Sequence, residues 1–67
     1  MTAKDFRATL EGLGLSQARL GRLLRADKAT PNRWAKGLVA VPVSVALLLR
    51  LLESGAVDLE ALEKLEP

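Results

Sequence analysis

Apolar residues recur along this chain three or four positions apart, in separate blocks, which is the spacing of one face of a helix rather than the alternation of a strand. In the first block Phe6 and Leu10 share a face, with Leu13 one turn on. Thr2 with Asp5 forms a capping-box-like pair, Met1 is placed to staple onto Phe6, and Gly12 and Gly14 end the helix. Ser16 is a good N-cap for a second helix over residues 17–24. Leu20 and Leu24 mark its inward face, and Arg19 and Arg22 lie on its outward side. Gly21 costs that helix about 1 kcal/mol against alanine, which predicts a second helix in close approach.

A link of about three residues, 25–27, leads to a third helix that ends at Lys36, with Gly37 as the residue that turns the chain away. Its start is open between two positions. Either Asp27 caps it and Pro31 sits in the first turn, or Thr30 and Pro31 are cap and first residue. Pro42 opens a fourth helix running to about Glu53, with Gly55 after it. That helix is apolar nearly all round, through Val43, Val45, Ala46, Leu47, Leu48, Leu49, Leu51 and Leu52. A fifth starts at Asp58 and runs through Leu59, Leu62 and Leu65, with its acids on the other faces. The expected fold class is all-α: a compact five-helix bundle forming one domain over residues 1–67, with helices four and five over about 42–65.

Charge changes the picture. Residues 15–37 hold Arg19, Arg22, Arg25, Lys28, Arg33 and Lys36 against Asp27 alone. Residues 1–14 are neutral, and residues 38–67 carry an acidic excess, so a net charge of +2 hides a polarised chain. This pattern suggests a basic face for a polyanion and an acidic tail facing elsewhere. With no cysteine and no histidine, the chain excludes a disulfide staple, a zinc finger and a thiol nucleophile. No glycine-rich phosphate loop or acidic cluster near the basic face supports an enzyme, and no cofactor or metal is expected. The start reads as no signal peptide, since Asp5 follows Met1 to Lys4. The longest uncharged run, residues 37–49, is shorter than the roughly 20 needed to span a membrane. A cytoplasmic location is the expectation.

Two short helices joined by a short link have helix-turn-helix geometry, in which the second helix can enter a DNA major groove. The run Ser16-Gln17-x-x-Leu20-Gly21-x-Leu23-Leu24, followed by residues 27–37 ending Asn32-Arg33-Trp34-Ala35-Lys36-Gly37, resembles the phage repressor and Cro-like helix-turn-helix family. The likeness extends to small bacterial members with a tryptophan in helix three and a proline-led apolar helix after it. Here that segment is residues 41–53, and the resemblance covers roughly residues 3–54. It implies a lambda-repressor-like DNA-binding domain, with the helix-turn-helix at about residues 16–37.

Carried across by position, the resemblance gives Gln17 a phosphate hydrogen bond and a bracing role against the recognition helix. Leu20, Leu24 and Ala26 match core positions, and Gly21 matches the small residue where the helices touch. Lys28, Ala29, Asn32 and Arg33 match the side chains that face base edges, and Lys36 matches the phosphate clamp. Helical spacing agrees: positions 28, 29, 32, 33 and 36 share one face, and Pro31, Trp34 and Leu38 the opposite one. Arg33 can pair with guanine and Asn32 with adenine. The candidate phosphate contacts are Ser16, Gln17, Arg19, Arg22, Thr30 and Lys36. Trp34 reads as core rather than as a base-stacking platform. Two departures stand out. Pro31 replaces the usual branched aliphatic residue, and Arg25 stands where a glycine often allows the turn.

The function implied is a sequence-specific double-stranded DNA-binding transcriptional regulator, a homodimeric repressor reading an inverted repeat. The uniformly apolar fourth helix, with the fifth, is the expected dimer surface, because it has more apolar faces than a small monomer buries. The competing reading is an antitoxin-like module that binds a protein partner as well as or instead of DNA.

Overall fold

The computed structural model describes residues 1–65 and, among them, contains five helices and no strand. These are α1 (Ala3–Leu13), α2 (Gln17–Leu24), α3 (Ala29–Lys36), α4 (Val43–Ser54) and α5 (Leu59–Glu63). The all-α expectation holds, and the boundaries follow local chemistry. At the start of α1, Thr2 Oγ1 accepts from the Asp5 amide at 3.0 Å. At the start of α2, Ser16 Oγ accepts from the Arg19 amide at 3.0 Å. Each takes up one of the amides that a helix start leaves unpaired.

The ends of α1, α2 and α3 share one device. A residue in the left-handed region turns the chain, and the next amide reaches back five residues, as Leu15 does to Leu10 at 2.9 Å, Ala26 to Gly21 at 2.9 Å and Leu38 to Arg33 at 3.0 Å. Glycine supplies the turn at positions 14 and 37, whereas Arg25 supplies it after α2 at φ 55°. Arg25 is the only non-glycine residue at positive φ among the described residues.

Helix α3 starts at Ala29, between the two expected starts, and the residue in the cap position is Lys28, which makes no side-chain capping bond. Asp27, one residue earlier, still steadies this start: its carboxylate accepts from the Ala29 amide at 3.2 Å and its carbonyl accepts from the Thr30 amide at 2.9 Å. Pro31 therefore sits in the first turn, where its missing N–H costs nothing. Pro42 precedes α4, and its carbonyl accepts from the Ala46 amide at 3.0 Å.

The core is built by Phe6, Leu10, Leu15, Leu20, Trp34, Ala35, Val45, Leu49 and Leu52. Helix α1 packs against both α3 and α4, and α3 packs against α2. At the centre Phe6 and Trp34 meet edge to face, with ring centroids 5.9 Å apart and planes at 84°. Met1 is half-buried and packs against the core cluster from outside. Among the described residues no helix is long and apolar enough to cross a membrane.

Three details differ from the sequence reading. Leu38 is exposed rather than inward, because the left-handed turn at Gly37 swings it off the axis of α3. Helix α5 stops at Glu63 instead of continuing through Leu65. Leu59 and Leu62 are half-buried against the core, but Leu65 is exposed, so it adds no burial to extend the helix. The acidic tail does not simply face elsewhere either: Glu63 lies against Arg19 of α2.

Candidate nucleic-acid interface

The basic segment folds so that the N-terminal ends of α2 and α3 come together. Gln17, Ala18, Asp27, Lys28, Ala29 and Asn32 line one open concavity of about 520 Å³. Asn32 Nδ2 donates to Gln17 Oε1 at 3.3 Å across this concavity, a bond between residues fifteen positions apart. The bond uses one donor of Asn32 and one acceptor of Gln17. It leaves the Asn32 carbonyl oxygen, its second N–H and the Gln17 amide nitrogen with capacity for a ligand.

The sequence-selected residues of α3 divide by exposure. Lys28, Arg33 and Lys36 are exposed, while Ala29, Thr30 and Asn32 are half-buried. Pro31, Trp34 and Ala35 are buried on the other side. One face of α3 is thus locked into the core, and the other carries cations and an amide. Among the described residues Lys28, Arg33 and Lys36 enter no ion pair. Their charge is available to a polyanion.

On α2 the selected residues serve different ends. Ser16 is exposed and its oxygen is engaged as the cap of the helix. Its hydroxyl proton can still be donated outward. Arg22 is exposed and borders a shallow furrow floored by Ala18, Gly21 and Ala26, with Lys28 on the same rim. Arg19 is held by Glu63 in a two-pronged pair, with Nε to Oε2 at 2.8 Å and Nη2 to Oε1 at 2.5 Å. The hydrogen bond from Arg19 holds the Glu63 carboxyl below the usual carboxylate range, aided by the charges of Arg19 and Arg22 and opposed by desolvation. The same bond raises the Arg19 guanidinium. Of the proposed phosphate contacts, Arg19 alone meets a carboxylate among the described residues.

Sequence reasoning missed two contacts. The Arg19–Glu63 pair is one. The other is Arg7 of α1, whose Nη1 donates to the carbonyl of Ala35 in the last turn of α3. A cation there satisfies a carbonyl that the helix leaves free and faces the negative end of its dipole. It fixes α3 to α1 behind the candidate interface. The spacing of Arg7 on the polar side of the first block gave no sign of this, because its partner is a backbone atom in another helix. No family model, curated protein or solved structure matches this chain.

Proposed function

We propose that this chain is a sequence-specific double-stranded DNA-binding regulator of transcription, a repressor that acts as a two-fold dimer. In this reading α2 and α3 form a helix-turn-helix, and α3 lies in the major groove. The observation that carries it is the two-sidedness of α3. Pro31 and Trp34 are buried behind it, Asn32 is oriented by Gln17, and Lys28, Arg33 and Lys36 project free. A single helix fills a major groove, and arginine and asparagine are the side chains that read guanine and adenine there. The resemblance to the phage repressor and Cro-like family supports the same assignment.

Base reading falls to Arg33 and Asn32, with Lys28 and Ala29 beside them. Phosphate contacts fall to Ser16, Gln17, Arg22, Thr30 and Lys36, with Arg19 joining only once Glu63 releases it. A two-fold dimer sets two such helices about 34 Å apart, one turn of duplex, so the expected site is an inverted repeat.

The experiment is selection of bound duplexes from a random library at about 150 mM salt, a concentration at which non-specific electrostatic binding is weakened. Enrichment of an inverted repeat with half-sites one helical turn apart is the expected result. Binding without an enriched motif removes sequence specificity from the proposal. Absence of binding overturns the DNA reading and turns attention to a protein partner.

A further inference from the structure

Asp27 is the one acid among residues 15–37, and it stands inside the basic face rather than at its edge. It lines the concavity between α2 and α3 together with Gln17, Lys28 and Asn32. It is exposed, and its Oδ1 accepts from the Ala29 amide at 3.2 Å. Among the described residues it enters no ion pair, not even with Lys28 beside it in the chain, and its Oδ2 accepts no hydrogen bond. Steadying the start of α3 does not call for a charge, because an asparagine or serine oxygen accepts from such an amide as well. In the proposed complex this carboxylate is pressed against a polyanion. An unpaired charge there opposes binding. A hydrogen-bond donor on the DNA removes that penalty.

We propose that Asp27 is itself a base-reading residue and that it selects cytosine. The inference rests on the DNA reading above. The N-terminal end of a recognition helix is the part that meets base edges, and the bond to the Ala29 amide holds the Asp27 carboxylate at that end of α3. A carboxylate only accepts. In the major groove guanine presents the acceptors O6 and N7, and thymine presents O4, all of which a carboxylate repels. Adenine offers its N6 amino group, but with the acceptor N7 beside it. Cytosine alone presents an amino donor, N4, with no acceptor on the same base. The Asp27 Oδ2 accepts from that N4. Asn32 faces the same concavity, held by Gln17 at 3.3 Å, so the cytosine falls in the same half-site as the adenine that Asn32 reads. The acid and the amide then divide the reading, since an amide both donates and accepts.

Asp27→Asn tests this, because it keeps an oxygen for the Ala29 amide while removing the charge and adding a donor. Parent and variant are each taken through duplex selection at about 150 mM salt. Four duplexes that differ only at the base concerned are then titrated by fluorescence anisotropy. The parent is expected to enrich cytosine at one position of each half-site and to prefer it there by about tenfold or more. In Asp27→Asn that preference is expected to fall to within about twofold, with guanine and thymine bound more tightly, since an amide donates to O6 or O4. Selection at the other positions and the helical circular dichroism are expected to stay at the parental level. Identical pools, with affinity raised alike for all four duplexes, mean that Asp27 only steadies α3 and repels DNA, and they overturn the proposal. Loss of preference for a base other than cytosine overturns it too, as does weakened selection at every position, the mark of a loosened α3. A parent that enriches no motif overturns the DNA reading itself, and this inference with it.

Discussion

Arg19 and Glu63, 44 positions apart, are joined by two hydrogen bonds of 2.8 and 2.5 Å that tie α5 to α2. The pair occupies one of the cations that sequence reasoning assigned to phosphate. A carboxylate and a phosphate compete for the same guanidinium fork. Glu63→Gln is therefore expected to tighten binding to duplexes of any sequence and to steepen the salt dependence by up to about one phosphate contact. Arg19→Ala in the parent leaves the salt slope nearly unchanged, whereas Arg22→Ala flattens it by about one. Fluorescence anisotropy titrations across a salt series measure all three. An unchanged slope in Glu63→Gln means that Arg19 never reaches a phosphate.

The same pair sets a pH dependence of stability. Glu63 titrates lower in the folded chain than in the unfolded one, chiefly because Arg19 donates to its carboxylate. The unfolded chain therefore binds the proton more readily. The contribution of the pair is fully present above the ordinary value of 4.5 and is lost as pH falls through the depressed folded value. Thermal melts from neutral pH down to about pH 3, a range that spans ordinary carboxylate titration, should show a shallower acid decline for Glu63→Gln than for the parent. Parallel declines mean the pair does not persist in solution. The effect is small, since both side chains remain about a third exposed, 36% and 32%, to screening solvent.

In the proposed complex with DNA, Arg33 is the residue expected to carry most of the base reading. It is exposed on the outer face of α3 and enters no ion pair among the described residues. Arg33→Ala is expected to cost roughly 1–3 kcal/mol on the selected site and to relax base choice at one position of each half-site. Competition binding with a panel of single-base variants checks this. Retention of full affinity and full selectivity removes Arg33 from the interface.

Arg25 holds the left-handed turn after α2 at φ 55°, ψ 36°. A side chain with a Cβ pays about 1–2 kcal/mol to sit there, and glycine does not. Part of that gain is lost to the greater freedom of glycine in the unfolded chain. Arg25→Gly is expected to raise stability by about 0.5–1 kcal/mol, and Arg25→Val, branched at Cβ, to lower it. Urea unfolding of the three proteins decides it. A destabilised glycine variant means that the arginine side chain makes contacts that outweigh its backbone strain.

Helix boundaries were legible because they depend on side chains within three or four residues of one another. Thr2 and Ser16 cap as their positions predict, Asp58 stands at the start of α5, and Gly14, Gly37 and Gly55 end helices where the patterns stop, whereas Lys28 and not Asp27 takes the cap position of α3. The inner face of α3 was legible for a related reason: Pro31 and Trp34 share a helical face, and both are buried. Leu38 broke the extrapolation because helical spacing holds only while the helix does. Helix α5 was overextended because Leu65 continues the apolar pattern past the surface that could bury it. Contacts made over long sequence separation were not legible. Arg19 to Glu63 and Arg7 to the Ala35 carbonyl depend on how helices are placed in space, and a surface arginine carries no local mark of its partner.

Gly21 shows how tightly α2 and α3 meet and whether the glycine is required. It is buried and helical, and the sequence suggests that only a missing side chain lets the helices touch. An ideal Cβ built at position 21 lies 3.6 Å from Pro31 Cγ, and 3.9 Å from both Pro31 Cδ and the Ala26 carbonyl oxygen. These are ordinary van der Waals separations, so a methyl group fills space rather than forcing the helices apart. Alanine also restores the helix propensity that glycine lacks, about 1 kcal/mol. Gly21→Ala is therefore expected to stabilise the fold by about 1 kcal/mol, raising the melting temperature by roughly 4–8 °C in a domain of this size. The Gln17–Asn32 bond spans the same two helices and is left undisturbed, so duplex affinity stays at the parental level. Gly21→Leu, which pushes three further carbons toward the Pro31 ring, is expected to destabilise. Differential scanning calorimetry of the two variants separates the cases. A destabilised alanine variant means that α2 and α3 approach more closely in solution than these distances allow.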